Sequence, residues 1–261
     1  MSAAADGATT PRPTGPLLAV VFLDGQYEDA SYYRPWAESA GLVVAADGGA
    51  RFLLASGTPP DVVVGDFDSL APADAERLDE LGVAEVRHPT RKDQTDGELA
   101  VDEALRRGAG ELVLAGALGA LDHTLGHLAI LRRLAARGVP ARLASPHLSA
   151  CVLVAPAQVA LDSAPHTRVS LVPLGADAVV TLTGFDYPLT RGFLPADACL
   201  GLGNFVAADC ARVTVHDGAV AVLVESGREN FGGVPAPRPS PAGPAAPGEA
   251  GRASRDADRT A

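Results

Sequence analysis

Acidic residues in the first half of the chain follow short apolar runs at regular intervals. Asp24 follows LLAVVFL, Asp47 follows LVVAA, and the pair Asp66 and Asp68 follows VVVG. If those runs are parallel strands, the carboxylates lie at the carboxyl ends of the strands, where open sheets bind ligands. Carboxylates held close together repel one another unless a cation joins them. For Asp24 alone, the preference of aspartate for turns explains the position more simply.

Residues 65–69, with the sequence Gly-Asp-Phe-Asp-Ser, offer the best candidate for a cation site. Two carboxylates two positions apart can reach one ion where a strand ends, and the Ser69 hydroxyl adds an oxygen. Mg²⁺ takes hard oxygen ligands and keeps waters or phosphates in its remaining positions. An Asp-X-Asp pair alone is a weak motif, so a magnesium site needs support from other segments.

Residues 91–96, with the sequence Arg-Lys-Asp-Gln-Thr-Asp, precede a helical pattern. Helix N-termini and cationic side chains attract phosphate oxygens, so Arg91 and Lys92 could hold phosphates. Asp96 could complete a metal site, and Gln94 offers an amide to a substrate. An ordinary capped helix with acidic residues in its first turn explains the same pattern equally well.

Residues 116–124 (GALGALDHT) form a glycine-bearing loop between an apolar run and a helical pattern. Such a loop can bring backbone N–H groups against a nucleotide. His123 and His127 have the HxxxH spacing of some zinc sites. The segment has no glutamate in the HExxH position and no nearby cysteine, so zinc is not favoured.

The elements that would position these residues alternate between strands and helices. Strands buried on both faces are predicted at 17–23, 42–46, 62–64 and 112–115. Helices are predicted at 95–107, with Thr95 or the adjacent aspartate as N-cap, and at 121–137, before Gly138. This alternation predicts an α/β fold with a Rossmann-like, mostly parallel sheet and helices on both faces.

The second half of the chain contains only short runs of alternating polarity, which predict a C-terminal antiparallel β-sandwich domain. Asp217-Gly218 between two such runs predicts a hairpin. Both ends of the chain are poor in large apolar residues and are expected to be disordered. The predicted boundaries are a disordered arm at 1–16, an α/β domain at 17–148, a β domain at 149–228 and a disordered Pro/Ala-rich tail at 229–261.

Composition narrows the function classes. A formal net charge of -11 over 261 residues argues against a nucleic-acid-binding protein and suits a cationic substrate. The three cysteines show no metal-binding spacing and are expected to be buried, reduced thiols of a cytosolic protein. The N-terminus does not resemble a signal peptide, and no apolar run is long enough for a membrane span. We therefore expect a soluble, cytoplasmic protein.

Taken together, these segments resemble the thiamine pyrophosphokinase family in their order and spacing. The resemblance extends over roughly residues 17–226, and its motifs lie at 47–50, 60–61, 65–69, 92–96, 116–124, 184–190 and 203–204. It implies a Mg²⁺-dependent enzyme that transfers diphosphate from ATP to the hydroxyl of thiamine, giving thiamine diphosphate and AMP. It also implies that the α/β domain binds ATP, the β-sandwich binds thiamine, and a homodimer forms with the active site between its subunits.

The resemblance also assigns roles to individual residues. The implied catalytic and magnesium-binding residues are Asp66, Asp68 and Asp96. The implied nucleotide-binding residues are Asp47, Gly48, Ser69, Arg91, Lys92, Gly116, Gly119, Asp122 and His123. Thiamine would contact Gln94 of one subunit and Tyr187 and Asn204 of the other. Any of the three catalytic aspartates could accept the proton of the thiamine hydroxyl.

The sequence departs from the family pattern at four positions. Ala120 and Leu121 replace a glycine and an arginine before Asp-His, so a phosphate or nucleotide contact could be lost. His127 stands where asparagine is common, and Gly203 stands where serine is common. Two alternatives therefore stay open: a diphosphokinase acting on another alcohol such as a hydroxymethylpterin, and a non-catalytic protein that binds ATP or thiamine.

Overall fold

The structure is a computed structural model that describes residues 16–68 and 70–225, together with the backbone of Pro239–Ser240. Ser69, nearly all of the predicted N-terminal arm and most of the predicted tail lie outside the described residues. Within the predicted tail, Pro239–Ser240 pairs antiparallel with Val159 and Gln158.

Helices and strands alternate through the first half of the described chain, and strands alone make up the second half. The helices are α1 (Ala30–Ser39), α2 (Gly49–Ser56), α3 (Pro72–Leu81), α4 (Asp96–Arg106) and α5 (Leu121–Ala136). The strands are β1 (Leu17–Phe22), β2 (Leu42–Ala46), β3 (Val62–Gly65), β4 (Ala84–Arg87), β5 (Ala109–Ala115), β6 (Ala141–Ala144), β7 (Leu148–Val154), β8 (Ala157–Leu161), β9 (Arg168–Pro173), β10 (Ala178–Thr183), β11 (Leu189–Leu194), β12 (Asn204–Phe205), β13 (Ala211–Asp217), β14 (Ala219–Glu225) and β15 (Pro239–Ser240).

One large sheet runs through both halves of the protein, in the order β12-β9-β14-β7-β6-β5-β1-β2-β3-β4. The six strands from β6 to β4 in that order are parallel, and pairing turns antiparallel between β6 and β7. Strands β2, β3 and β4 are added on one side of β1, whereas β5 and β6 are added on its other side, so the strand order reverses between the neighbours β1 and β5. The carboxyl ends of those two strands therefore form the switch point where such sheets bind ligands.

Helices cover both faces of the parallel part, because alternate residues of each strand point to opposite sides. Ala19 and Val21 pack with apolar residues of α4 and α5, whereas Val20 and Phe22 pack with those of α1, α2 and α3. A smaller antiparallel sheet, β11-β10-β13-β8-β15, packs on the antiparallel end of the large sheet and shares a core with it. The predicted fold class is confirmed.

The predicted hairpin at Asp217-Gly218 is wrong. β13 pairs with β10 and β8 in the small sheet, whereas β14 pairs with β7 and β9 in the large one. Gly218, with φ of 77°, carries the chain from one sheet of the sandwich to the other. An Asp-Gly turn reverses the chain but does not determine which strands become partners, since packing of the two inner faces decides that.

Other expectations are confirmed or corrected locally. Thr95 is the N-cap of α4, and its capping box with Glu98 satisfies backbone groups that would otherwise be unpaired. Cys151 is buried as expected, but Cys199 and Cys210 are exposed, so the prediction of buried thiols is wrong for these two. In the part of the chain that the structure describes, no helix is long and apolar enough to cross a membrane.

Candidate active site

A cleft of about 450 Å³ opens at the switch point between β1 and β5. Its walls come from the ends of β1, β2 and β5 and from the beginnings of α4 and α5. The lining residues are Leu23, Asp24, Gly25, Ala46, Asp47, Thr95, Asp96, Gly97, Gly116, Ala117, Leu118, Gly119, Ala120, His123 and His127. Backbone N–H groups, carboxylates and imidazoles thus share one cavity.

The floor of the cleft depends on close contact between the loops that follow β1 and β5. A β-carbon at Gly25 would lie 1.7 Å from the carbonyl oxygen of Gly116, so only glycine allows this approach. The Tyr27 hydroxyl donates to the Leu23 carbonyl at 2.5 Å, and its ring stacks on Phe52 with 3.9 Å between centroids. These contacts fix the backbone around which the cleft is built.

Three carboxylates lie together where β2 and β3 end. Oxygens of Asp47, Asp66 and Asp68 lie within 4.8 Å of one another. The Asp47 backbone N–H donates to the Val64 carbonyl at 2.9 Å, which ties the end of β2 to its neighbour. Such a set of hard oxygen donors fits Mg²⁺, which binds through carboxylates and completes its coordination with waters and phosphates.

Two left-handed residues bring these carboxylates together. Asp47 has φ of 43° and Phe67 has φ of 67°, a conformation that costs roughly 1–2 kcal/mol for an L-residue. The turn at Phe67 lies between Asp66 and Asp68, and the Arg87 guanidinium lies 4.2 Å from the centre of the Phe67 ring. Strain of this kind persists where surrounding contacts hold it, and it is concentrated at functional sites.

Asp66 and Asp68 have opposite pKa shifts. A hydrogen bond shared with Asp66 and repulsion from its charge raise the pKa of Asp68 above its usual value. The backbone N–H of Asp68 donates to Asp66 Oδ1 at 3.2 Å, and this bond, with a second from Thr90, lowers the pKa of Asp66. Asp68 is therefore the more basic member of the pair.

Lys92 lies among the carboxylates at the edge of this group. Its Nζ is 2.7 Å from Asp96 Oδ1 and 4.0 Å from Asp66 Oδ2. A β-carbon at Gly65 would lie 3.2 Å from Asp96 Oδ1 and 3.4 Å from Asp47 Oδ1, so Asp96 borders the three-carboxylate group. The sequence prediction grouped Asp96 with Asp66 and Asp68, whereas the structure gathers Asp47 with them and pairs Asp96 with Lys92.

The structure brings several of the predicted nucleotide-binding residues to the cleft. Gly116, Gly119 and His123 line it, as does Asp47. Asp122 lines a neighbouring cavity of about 290 Å³ that also borders His123 and His127. The glycine loop and the first turns of α5 therefore surround both cavities.

Gly48 is close to the cleft, whereas Arg91 and Gln94 are not among its lining residues. A β-carbon at Gly48 would lie 2.1 Å from Asp24 Oδ1, which places that cleft carboxylate against the start of α2. Arg91 is exposed and is not among the lining residues. Gln94 is also exposed, and its amide donates to Asp102 Oδ2 at 3.1 Å.

The two predicted thiamine contacts from the β half are held together by direct hydrogen bonds. Asn204 is buried, accepts from the Tyr187 N–H at 3.1 Å and donates to the Tyr187 carbonyl at 2.8 Å. Tyr187 is 70% exposed, and neither residue is among those that line the cleft. Asn204 thus fixes a backbone that presents an aromatic ring to the surface.

His127 lines the cleft, although the sequence suggested only a zinc site for it, and that site was not favoured. It is buried, and its Nδ1 lies 2.7 Å from the Ala117 carbonyl oxygen. Desolvation by burial lowers the pKa of His127 below 6.5, so the ring is neutral at neutral pH. The sequence signal that could have identified it as a cleft residue is its position on α5, one turn after His123.

The lowered pKa of His127 has a measurable effect on stability. A group whose folded pKa is depressed stabilises the fold fully above its unfolded value and loses that contribution as the pH falls through the folded value. The unfolding free energy of wild type minus that of His127→Asn should therefore be constant above pH 6.5 and decrease below it. Urea denaturation across that range measures this quantity, and an increase in acid would contradict the assigned protonation state.

The comparisons with known proteins give the family. Residues 33–143 match the thiamin pyrophosphokinase catalytic domain, and residues 158–220 match the family's vitamin B1 binding domain. The chain belongs to the thiamin pyrophosphokinase family. The resemblance found in the motifs is confirmed, and with it the assignment to a family of diphosphotransferase enzymes.

Named relatives agree with this family assignment. Thiamine pyrophosphokinase of Bacillus subtilis (strain 168) is 29% identical over 168 residues, which are 62% of this chain and 77% of the relative. The solved thiamin pyrophosphokinase of Geobacillus thermodenitrificans is 26% identical with a TM-score of 0.71, covering 80% of this chain and 98% of that one. The Candida albicans structure, 15% identical with a TM-score of 0.70 over 80% of this chain and 90% of its own, shares the fold.

Proposed function

We propose that this chain transfers the terminal diphosphate of ATP to the hydroxyl of thiamine, releasing AMP and thiamine diphosphate. The observation that carries the proposal is the three-carboxylate group of Asp47, Asp66 and Asp68 beside the switch-point cleft, in a chain of this family. Phosphate transfer depends mainly on positioning and on stabilising charge, and this arrangement supports both.

The nucleotide occupies the cleft in this proposal. Its phosphates lie at the end of the cleft next to Lys92 and the three-carboxylate group, because a cationic side chain attracts phosphate oxygens. Lys92 supplies a positive charge within reach of Asp66 and Asp96. The glycine loop 116–120 provides backbone donors on the opposite wall.

Asp47, Asp66 and Asp68 would hold Mg²⁺, with Asp96 at its border as a further ligand once Lys92 moves to phosphate. When bound, the ion supplies charge neutralisation to the phosphate oxygens. Asp68, the more exposed partner of Asp66, accepts the proton of the attacking hydroxyl. Its role as the base is supported by its exposure at the open end of the group.

A homodimer completes the site in this proposal. Large apolar side chains are exposed around the edge strands β11 and β12, which a second subunit would cover. They are Tyr187, Phe193, Leu200, Leu202 and Phe205. Tyr187 would then lie over the cleft of the second subunit, where an aromatic ring can stack on the cationic thiazolium ring or the neutral pyrimidine ring of thiamine.

Complementation between two defective chains tests the shared site. Tyr187→Ala should raise the KM for thiamine, and Asp68→Asn should remove turnover. When the two chains are co-expressed, half of the dimers are mixed and each has one site with both residues intact, so about a quarter of wild-type activity should return at limiting thiamine. A mixture no more active than the sum of its parents would contradict a site built from two subunits.

Acceptor preference distinguishes this function from its two rivals. Purified protein is given ATP, Mg²⁺ and either thiamine or 6-hydroxymethylpterin, and AMP release is followed for each. Thiamine-dependent AMP release supports the proposal. Release with the pterin alone would favour the other diphosphokinase, and binding of ATP and thiamine without AMP would favour the non-catalytic protein.

A further inference from the structure

The tautomer of His127 follows from its partner. Nδ1 lies 2.7 Å from the carbonyl oxygen of Ala117, and a carbonyl oxygen can only accept a hydrogen bond. Nδ1 therefore carries the proton, and in the neutral ring Nε2 is left as an acceptor. Because burial lowers the pKa of His127, this neutral form predominates at physiological pH.

The acceptor nitrogen points across the cleft. A β-carbon at Gly97 would lie 3.7 Å from His127 Nε2, so this nitrogen faces the first turn of α4. Gly97 and His127 both line the cleft, and His127 also lines the neighbouring cavity. Among residues 16–68 and 70–225, the His127 side chain makes one hydrogen bond, from Nδ1 to Ala117. The Nε2 lone pair is therefore available to a ligand.

The two ends of the cleft differ in charge. Asp47 and Asp96 lie at the end near the three-carboxylate group and Lys92, which the proposed function gives to the phosphates. His123 and His127 line the part formed by α5, next to the second cavity. The nucleoside part of ATP is left to occupy that second region.

We propose that Nε2 of His127 is a specificity-determining hydrogen-bond acceptor for the nucleoside part of the bound nucleotide. This inference rests on the proposed function, which puts ATP in the cleft. A nucleoside offers an exocyclic amine and two ribose hydroxyls as donors. An acceptor that a bound ligand shields from water discriminates strongly against a ligand that lacks its donor, because the acceptor then loses its water without gaining a partner.

Two substitutions separate this role from the other contact of His127, in which Nδ1 holds the loop through the Ala117 carbonyl. His127→Asn keeps an amide nitrogen near the Nδ1 position, able to donate to Ala117, but removes the acceptor at Nε2. His127→Gln places an amide oxygen near the Nε2 position and gives up the donor near Nδ1. Discrimination that depends on Nε2 is lost in the first variant and retained in the second.

Binding is measured by calorimetry with Mg²⁺ and without thiamine, for ATP, ITP, 2′-deoxyATP and 3′-deoxyATP. One analogue, the one lacking the donor that reaches His127, should bind wild type about tenfold more weakly than ATP. That penalty should fall to about twofold or less in His127→Asn and persist in His127→Gln. The analogue affected tells whether the base amine or a ribose hydroxyl is the donor.

Equal analogue penalties in wild type and His127→Asn would overturn the inference. Loss of the penalties in His127→Gln but not in His127→Asn would also overturn it, because the histidine would then act only by holding the loop. AMP formation with thiamine is assayed on the same preparations. If no AMP forms while discrimination between nucleotides is intact, the proposed reaction is wrong and the role proposed for His127 is still supported.

Discussion

Replacing Asp68 with asparagine is expected to lower kcat by about 10²–10⁴-fold, the range that a positioned general base contributes. The substitution keeps the shape of the side chain but removes both a cation ligand and the proton acceptor. The metal-free variant should melt no lower than wild type, because its Asp66 neighbour loses a repelling charge. Steady-state AMP release and a thermal melt in EDTA measure the two effects.

The matched control for this variant is Asp79→Asn. Asp79 is exposed near the end of α3, is not among the residues that line the cleft, and undergoes the same change of charge and shape. Its kcat should stay close to that of wild type. If Asp68→Asn retained wild-type turnover, or fell no further than Asp79→Asn, its roles as ligand and base would both be wrong.

Lys92→Met is the second substitution with a large expected effect. Lys92 is the cation within 2.7 Å of Asp96, and its side chain is only 14% exposed. Removing a preorganised charge that stabilises a phosphoryl group typically costs about 10²–10³-fold in kcat. Without magnesium the variant should also be less stable than wild type, because Asp96 loses its ion pair with Lys92 while it still lies near Asp66 and Asp68.

Added Mg²⁺ gives this variant a second readout. The ion should restore the thermal stability of Lys92→Met toward that of wild type, since it replaces the lost countercharge, but it should not restore kcat. Arg77→Met, which removes an exposed cation of α3 paired with Glu80, is the control and should change neither property. If magnesium leaves the stability gap between Lys92→Met and wild type unchanged, Lys92 is not the countercharge of this group.

Local patterns were sufficient to predict the α/β class, together with four strands and two helices of its parallel half. They did not predict the elements α1, α2, α3, β4 and β6. Apolar runs buried on both faces and an N-cap at Thr95 are properties of a few consecutive residues, so they can be predicted without knowing distant partners. The carboxyl ends of β1, β2 and β3 then placed Asp24, Asp47 and Asp66 in one region. The cleft and its acidic border could therefore be predicted from the sequence.

Features that depend on distant partners could not be predicted in the same way. The Asp217-Gly218 pair predicts a hairpin because its local signal is strong, yet β13 and β14 pack in different sheets. The strand ends predict that Asp47 lies near Asp66, but the close approach of the Asp47, Asp66 and Asp68 oxygens also depends on left-handed conformations at Asp47 and Phe67. Sequence patterns do not favour that conformation at an aromatic residue. The orientation of His127 likewise depends on a carbonyl ten residues away.

The reaction products provide the most direct test of the account. ATP, Mg²⁺ and thiamine are incubated with the protein, and ³¹P NMR follows every phosphorus species. The proposed reaction predicts AMP and thiamine diphosphate in equal amounts, with no ADP or inorganic phosphate. ADP together with thiamine monophosphate would contradict diphosphate transfer, and inorganic phosphate without any thiamine ester would show that water, rather than thiamine, receives the group.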